Sequence, residues 1–200
     1  MFYQKLLNSP IGYRLSQFVL APGADSKLTR ELSRLAHTLT TSGFLLDIGC
    51  GPSSWLWKIR LYPVGLDIHP PFSAAFNRTA GPAVTGSALS LPFADMTFDG
   101  VWSIGMLHHL PDDAAKQAIQ EMLRVCRANG HVVILDAVLP RNPWRRPIAA
   151  LIRRFDRGDF MRHEYQLTSL IKEQDEWAKR RYTYAATGLE MLELVHIKTP

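Results

Sequence analysis

The sequence has little cysteine and no long hydrophobic run. Cys50 and Cys126 are its only cysteines among 200 residues, which is too few for a disulfide framework and fits a reducing compartment. Neither cysteine has neighbours at the spacing of a zinc site. No stretch approaches the roughly 18 apolar residues of a transmembrane helix, and polar side chains interrupt the first 26 residues, unlike a secretory signal. We therefore expect a cytoplasmic protein.

Positive charge is concentrated in one segment. The formal net charge is +5, and the stretch from Arg141 to His163 holds seven arginines against two acids. A nucleic-acid-binding protein usually spreads basic residues along a face and interleaves aromatic ones, so this distribution argues against a nucleic-acid partner. Three interpretations stay open: a lid with a solvated basic face, a contact to an acidic or phosphorylated acceptor or to a carrier protein, and an amphipathic helix around Trp144 on an anionic membrane.

Apolar runs and turn residues predict alternating strands and helices. The runs are continuous, as in strands that are buried on both faces, and they lie at 44–48, 63–68, 82–86, 98–107 and 130–139. Helices are predicted over 9–20, over 25–39 with Asp25 as the cap, and over 112–127 with Asp112 or Asp113 as the cap. This alternation indicates an α/β fold, doubly wound around a mostly parallel sheet.

The C-terminal third has a different pattern. Residues 150–155 continue an amphipathic helix in which one face is apolar, and its members are Ile148, Leu151, Ile152 and Phe155. Another helix is predicted over 166–172. The runs 180–188 and 189–198 predict two strands that are joined tightly through Gly188, and a tight connection implies an antiparallel pair.

The stretch LDIGCGPSS, which begins at Leu46, has the most specific pattern. Gly49 and Gly51 would let the chain turn sharply from a strand into a helix and let a ligand lie against the backbone. The dinucleotide fingerprint G-x-G-x-x-G requires a third glycine, and the sequence has Ser54 at that position. Pyrophosphate binding is therefore disfavoured.

Two acids near this loop point to a different ligand. Asp67 ends the second predicted strand, 20 residues after Asp47, at the spacing of an acid that binds ribose hydroxyls. Asp47 lies two residues before the first glycine. Its carboxylate would repel pyrophosphate and attract a ligand that carries an ammonium and a sulfonium group.

With these features the sequence resembles the class I S-adenosylmethionine-dependent methyltransferases, and in particular their small type 11 branch. The resemblance covers a little under half the chain and rests on stretches in the family's order: LDIGCGPSS (46–54), VGLDIHP (64–70), GSALSLPFADMTFDGVWS (86–103), MLHHLPDD (106–113) and EMLRVCRANGHVVILD (121–136). It implies a Rossmann-like, seven-stranded sheet whose last strand is antiparallel. One domain over 1–200 would then comprise N-terminal helices (1–42), a cofactor-binding core (43–139), a basic lid-like insertion (140–176) and a C-terminal hairpin (177–200).

The resemblance also implies the cofactor, S-adenosyl-L-methionine with S-adenosyl-L-homocysteine as its product, and the residues that bind it. The methionine half would lie on Asp47, Gly49, Cys50 and Gly51, the ribose on Asp67, the adenine on Ile68 and the turn Ser87-Ala88-Leu89, and the sulfonium beside Ser103 and Ile104. Many members carry Asp at the position of Ser87, and a serine hydroxyl accepts from the adenine amine with less reach.

For the chemistry the resemblance implies in-line methyl transfer to a small, hydrophobic or acidic acceptor, which needs no metal. His108 and His109 follow the fourth strand and are candidate general bases. We prefer His109 as the one that faces the pocket, while a purely structural role for both stays open. Asp136 ends the fifth strand without companion acids, so no metal site is expected there. The alternatives are a protein that binds S-adenosylmethionine without catalysis and an NAD-dependent oxidoreductase.

Overall fold

The computed structural model describes residues 23–79, 81–154, 158–172 and 176–199. The strands in these ranges are β1 (Leu45–Ile48), β2 (Val64–Asp67), β3 (Ala83–Thr85), β4 (Phe98–Ile104), β5 (Cys126–Val138), β6 (Trp177–Thr183) and β7 (Glu190–Ile197). The helices are α1 (Ala24–Thr38), α2 (Pro70–Thr79), α3 (Asp112–Val125), α4 (Pro147–Arg154) and α5 (Glu164–Thr168), and two short 3₁₀ helices cover Trp55–Ile59 and Leu107–His109. The helix predicted over 9–20 lies outside the described residues.

All seven strands form one sheet in the order β3-β2-β1-β4-β5-β7-β6. Neighbouring strands from β3 to β5 are parallel, and β7 runs antiparallel to both β5 and β6. The predicted fold class is therefore confirmed. The first strand, β1, lies inside the sheet. β2 and β3 follow on one side of β1, and β4 then lies on its other side. This reversal makes the carboxyl ends of β1 and β4 the place where ligands bind in such sheets.

Two hydrophobic clusters cover the two faces of the sheet, which is why its central strands read as continuous apolar runs. One cluster packs α3 against alternate residues of β1, β4 and β5, and includes Ile119, Met122, Leu46, Val101 and Val132. The other packs α1 and part of the β6–β7 hairpin against the opposite face, and includes Leu32, Leu35, Trp102, Val133 and Met191. Both clusters leave the carboxyl edge of the sheet to its loops.

The predicted helix caps were wrong by one or two residues. α1 begins after Gly23, whose φ is +76°, and no side chain caps it, so Asp25 lies in the first turn and pairs with Lys58. α3 begins after Pro111, and Asp112 lies in its first turn. Acids at these positions still favour the helix, because they lie near the positive end of its dipole.

The boundary between α3 and β5 was predicted a few residues too far along the chain. The helix ends at Val125, and Cys126 already has extended backbone angles of −73° and 132° and pairs with Phe98 of β4. Cys126 therefore belongs to a strand and not to the face of a helix. Asn129, two residues after the predicted end of the helix, has a left-handed φ of +62° within β5.

The C-terminal elements are of the predicted kinds with shifted bounds. α5 is shorter and earlier than the helix predicted over 166–172. The antiparallel pair is confirmed, but residues 184–189 separate its strands, and Gly188 in this connection has a φ of +84°. In the described part of the chain no helix combines the length and the apolar character that a membrane span requires.

Candidate active site

The candidate site lies at the carboxyl edge of the sheet, where four strands end close together. Each contributes one buried polar residue: β1 contributes Asp47, β2 Asp67, β4 Ser103 and β5 Asp136. Polar groups are rarely buried without a partner. Their gathering at the topological switch point therefore marks this edge as the place to look for a ligand.

The loop after β1 is shaped by two glycines with left-handed backbones. Gly49 has a φ of +72° and Gly51 a φ of +62°, a conformation that costs other residues free energy. A Cβ on Gly49 would lie 2.5 Å from Cγ of Met106, so Met106 closes over this point. A Cβ on Gly51 would meet no atom within 4 Å. The backbone at Gly51 therefore borders open space that a ligand can fill.

Asp67 is held rigidly beside this loop. Its Oδ2 accepts from the Gly51 amide at 2.9 Å, and its Oδ1 accepts from the His69 amide at 2.9 Å. Oδ1 also lies 3.2 Å from His69 Nδ1. Each carboxylate oxygen has two lone pairs, so Oδ2 can accept a further hydrogen bond from a ligand. Ile68, next in the chain, is 63% exposed and offers an apolar surface beside the same carboxylate.

Asp47, the acid of β1, is buried more deeply than Asp67. It is 3% exposed, and its Oδ2 accepts a hydrogen bond of 2.6 Å from Ser54 Oγ. Burial raises the pKa of Asp47 to about 7, against the opposing effect of the Ser54 bond and with a smaller contribution from the charge of Asp67. A cationic ligand would restore the charged form of this carboxyl.

The role of Ser54 was not predicted, because Ser54 was compared only with the third glycine of the dinucleotide fingerprint. Its Oγ also accepts from the Leu56 amide at 3.1 Å and thereby caps the 3₁₀ helix over Trp55–Ile59. A serine before a helical turn is the usual signature of such a cap. Cys50 lies between the two glycines, and burial together with the charges of Asp47 and Asp67 raises the pKa of its thiol. The thiol is therefore not an activated nucleophile.

The turn after β3 is tied to the end of β2. The Gly86 amide donates to the Asp67 carbonyl at 3.0 Å, and Ser87 Oγ accepts from the Leu89 amide at 3.2 Å. On the other side of the loop, Ser103 is 1% exposed, and its hydroxyl has no hydrogen-bond partner among the residues that the structure describes. A buried hydroxyl in this state calls for a polar ligand atom.

His108 and His109 occupy different environments. His108 is buried, and its Nδ1 lies 2.6 Å from Oδ1 of Asp136. Asp136 is itself 1% exposed and also accepts from the Ala137 amide at 3.0 Å. His109 is exposed, and its ring centre lies 4.2 Å from that of His108. Burial and the contact with Asp136 thus single out His108 as the histidine that the fold orients.

The segment 158–162, which we term the strap, closes over His108. The Phe160 amide donates to the His108 carbonyl at 3.1 Å, and a Cβ on Gly158 would collide with the ring of His108. Arg162, 5% exposed at its side chain, donates to the carbonyls of Leu107 (2.9 Å) and Leu110 (2.6 Å) and to Asp112 (2.8 Å). The strap therefore fixes the backbone on both sides of His108.

Residues 46–134 match the protein family described as "Methyltransferase domain". The matched residues form a methyltransferase domain. The family and the cofactor predicted from the sequence are thus confirmed.

Relatives of this methyltransferase include enzymes with named acceptors. It is 33% identical over 146 residues to the demethylmenaquinone methyltransferase of Roseiflexus sp. (strain RS-1). This alignment covers 64% of this chain and 60% of that protein. It is 32% identical over 126 residues to the 2-methyl-6-phytyl-1,4-hydroquinone methyltransferase of Synechocystis sp. This alignment covers 56% of this chain and 39% of that protein. The chain thus spans about three fifths of the length of the first of these relatives.

A solved structure of an S-adenosylmethionine-dependent methyltransferase from Thermotoga maritima has the same fold, with a TM-score of 0.71. It covers 98% of this chain and 99% of that one, at 13% identity. The likeness therefore extends over the whole fold, beyond the family match at 46–134.

The methyltransferase site fits the predicted cofactor. Asp67 has lone pairs for ribose hydroxyls, Asp47 has a buried carboxyl that a cation would stabilise, and Ser103 has an unsatisfied hydroxyl. The individual roles of the predicted residues stay predictions. Among the described residues no group of three or more His, Cys, Asp or Glu could hold a metal ion.

Proposed function

We propose that this chain transfers a methyl group from S-adenosylmethionine to a small acceptor that is hydrophobic or acidic. The observation that carries the proposal is the pinning of Asp67 by the Gly51 amide at 2.9 Å. This bond joins the glycine loop, to which we assign the methionine part of the cofactor, to the acid at the end of β2, to which we assign the ribose.

We assign the cofactor's parts to residues as follows. Asp67 accepts from the ribose hydroxyls, Ile68 covers the adenine, and the turn Ser87-Ala88-Leu89 borders the edge of the adenine. Asp47, with Gly49, Cys50 and Gly51, holds the methionine half, and Ser103 and Ile104 lie beside the sulfonium. When bound, S-adenosylmethionine supplies an electrophilic methyl group and leaves as the neutral thioether S-adenosylhomocysteine. The residues around it mainly align the acceptor with that methyl group.

For the proton of the acceptor we propose His108 as the general base. In this proposal Nδ1–H of His108 donates to Asp136, whose Oδ1 lies 2.6 Å away. That bond would fix the ring and leave Nε2 to accept the proton. The charge of Asp136 would also stabilise the imidazolium that forms. His109, which the sequence analysis preferred, stays the alternative, although its exposure offers less control over solvent and geometry.

The relatives narrow the class of acceptor. The two relatives described above are named for a quinone and for a hydroquinone. Both names describe a ring that carries two oxygens, and in the hydroquinone these are hydroxyls that can lose a proton. We propose a hydroxylated or quinonoid aromatic ring as the acceptor here. In this proposal residues 140–176 act as the lid over it. The cytoplasmic location and the contact of Arg141–His163 with a membrane or carrier protein belong to the same proposal.

The test separates this function from its alternatives. The purified chain is melted with S-adenosylhomocysteine and, separately, with NAD, and methyl transfer from labelled S-adenosylmethionine is then measured on a panel of hydroquinones. We expect protection by S-adenosylhomocysteine alone, followed by transfer to at least one hydroquinone. Protection by NAD alone would support the oxidoreductase. Cofactor binding without transfer to any acceptor, in the panel or in cell extract, would support the inactive binding protein.

A further inference from the structure

Helix α4 exposes two of its large apolar side chains, while its Ile152 packs against the core. Its buried residues are Ala149 and Arg153, whereas Ile148 is 59% exposed and Leu151 is 58% exposed. Trp144, one helical turn before Ile148, is 93% exposed. A surface helix of a globular protein normally buries its apolar stripe and exposes its charges. α4 does the reverse with these residues.

Arginines anchor the inner side of α4. Arg153 donates to the Tyr184 hydroxyl at 3.1 Å and to the Glu190 carbonyl at 3.0 Å. Arg146 donates to the Gly188 carbonyl at 2.8 Å and to the Thr183 hydroxyl at 3.0 Å. These bonds fasten the helix to the β6–β7 hairpin in one orientation. The exposure of the apolar side is therefore a property of the fold and not of a loosely attached helix.

The exposed apolar residues lie within a basic surface. Arg145 and Arg154 are exposed on the same short segment, and Arg141 is 71% exposed at its side chain, where it pairs with Glu164. No acid occurs between residues 140 and 155. Tryptophan and aliphatic side chains flanked by arginines are the composition of helices that lie in the interface of an anionic bilayer.

We propose that α4 and the turn that begins at Trp144 dock this protein on an anionic membrane surface. We term this surface, formed by Trp144, Arg145, Ile148, Leu151 and Arg154, the α4 patch. Trp144, Ile148 and Leu151 enter the boundary between headgroups and acyl chains, while Arg145 and Arg154 contact lipid phosphates. The strap over His108 follows α4 by only a few residues. Docking would bring the whole protein, and with it the proposed acceptor site, to the lipid surface, where an apolar acceptor dissolves.

Charge decides against two other occupants of the α4 patch. A second copy of the chain would place Arg145 and Arg154 against their own equivalents, and three apolar side chains fall far short of the roughly 20–30 residues of a stable interface. Residues 1–22 carry Lys5 and Arg14 and no acid, so they offer no charge complement either. An acidic carrier protein would match the charge, and the experiment distinguishes it.

The experiment measures sedimentation of the full chain with phosphatidylcholine vesicles, with and without 30 mol% phosphatidylglycerol, at about 0.1 M salt. Cofactor and acceptor are left out, so docking can fail while the proposed chemistry holds, and the reverse. We expect binding that requires phosphatidylglycerol and weakens at higher salt. The triple variant W144S/I148S/L151S should lose binding at least tenfold. R145Q/R154Q should lose roughly fivefold for each arginine.

Matched controls change equivalent residues elsewhere. Y62S removes an exposed aromatic residue that precedes β2, at the opposite edge of the sheet, and R30Q/R78Q removes two exposed arginines outside the patch. These variants should bind like the unchanged chain, and all variants should keep their binding of S-adenosylhomocysteine as proof of folding. Absence of vesicle binding, or equal loss in the patch and control variants, would overturn the proposal. Absence of vesicle binding would leave an acidic carrier protein as the occupant to examine.

Discussion

The sheet edge has two sides: the cofactor side, with Asp47 and Asp67, and the acceptor side, with His108 and Asp136. Each side is held together by contacts that span different distances along the chain. On the cofactor side, Ser54 reaches Asp47 over seven residues and Gly51 reaches Asp67 over 16. On the acceptor side, Asp136 reaches His108 over 28 residues, and Arg162 reaches Leu107 over 55. Backbone amides and glycines dominate the first side, and long charged side chains dominate the second.

This difference suggests a division of labour between the two sides. A loop made of glycines and backbone amides tolerates few substitutions, because left-handed φ values and close contacts leave little room for side chains. A site assembled by arginine tethers can be altered by changing side chains while the backbone stays in place. We expect the cofactor side to be the rigid part, and the strap with α4 to set which acceptor enters.

The largest expected effect comes from the acceptor side. His108→Ala should lower turnover roughly 10²- to 10⁴-fold, because the acceptor would lose the base that takes its proton. The affinity for S-adenosylhomocysteine should stay the same, since the residues to which we assign that ligand lie on the other side of the edge. Steady-state rates and calorimetric titration with S-adenosylhomocysteine measure the two quantities.

His109→Ala is the matched control for that variant, since it removes the same side chain one residue along. Turnover should then change by less than about threefold, because in this proposal His108 and not His109 takes the proton. A large loss in His109→Ala together with a small one in His108→Ala would exchange the two roles. Equal turnover in both variants and the unchanged chain would leave the histidines a structural function only.

On the cofactor side, Asp67→Ala should weaken binding of S-adenosylhomocysteine by roughly 1–3 kcal/mol, the range for a hydrogen bond to a charged group. This corresponds to roughly a 5- to 150-fold rise in Kd. Asp25→Ala, at an exposed acid that pairs with Lys58 outside the site, should leave Kd unchanged. An unchanged Kd in Asp67→Ala would mean that the ribose lies elsewhere and that the two sides of the edge are misassigned.

The smallest effect concerns pH. The pKa of Asp47 is raised to about 7, and an ammonium or sulfonium group favours the charged carboxylate. Binding of S-adenosylmethionine should therefore weaken about tenfold between about pH 8 and pH 6, as Asp47 takes up a proton. Asp47→Asn should bind more weakly at pH 8 and lose this pH dependence. Calorimetric titrations at both pH values test it, and a tenfold change that persists in Asp47→Asn would assign the effect to another group.

The same pKa shift has a consequence for stability with the opposite sign. Because the folded protein favours protonated Asp47, its stabilising contribution is full below the ordinary pKa of 3.8 and is lost as the pH rises towards about 7. The ligand-free chain should thus lose this contribution over the range in which cofactor affinity increases. Melting temperatures are measured for the unchanged chain and for Asp47→Asn at a series of pH values. Only the unchanged chain should show this loss of stability as the pH rises.

The cofactor side could be predicted from the sequence because its signals are contiguous. A buried strand, an acid and two glycines follow one another within six residues, and Asp67 ends the next strand. Ser54 was misjudged because the comparison with a glycine motif hid its role as a cap. The start of β5 at Cys126 was missed because pairing with Phe98, 28 residues earlier, outweighs the helical pattern of the preceding residues.

By itself the sequence determined the α/β class, the strands of the central sheet, the C-terminal hairpin and the glycine loop after β1. Continuous apolar runs specify buried strands, and glycines with a neighbouring acid specify a turn, whatever surrounds them. Only the tertiary structure decided which histidine meets Asp136, that Arg162 fastens the strap over it, and that α4 faces outward. Periodicity shows which residues share a face, but the partner of that face comes from chain segments tens of residues away.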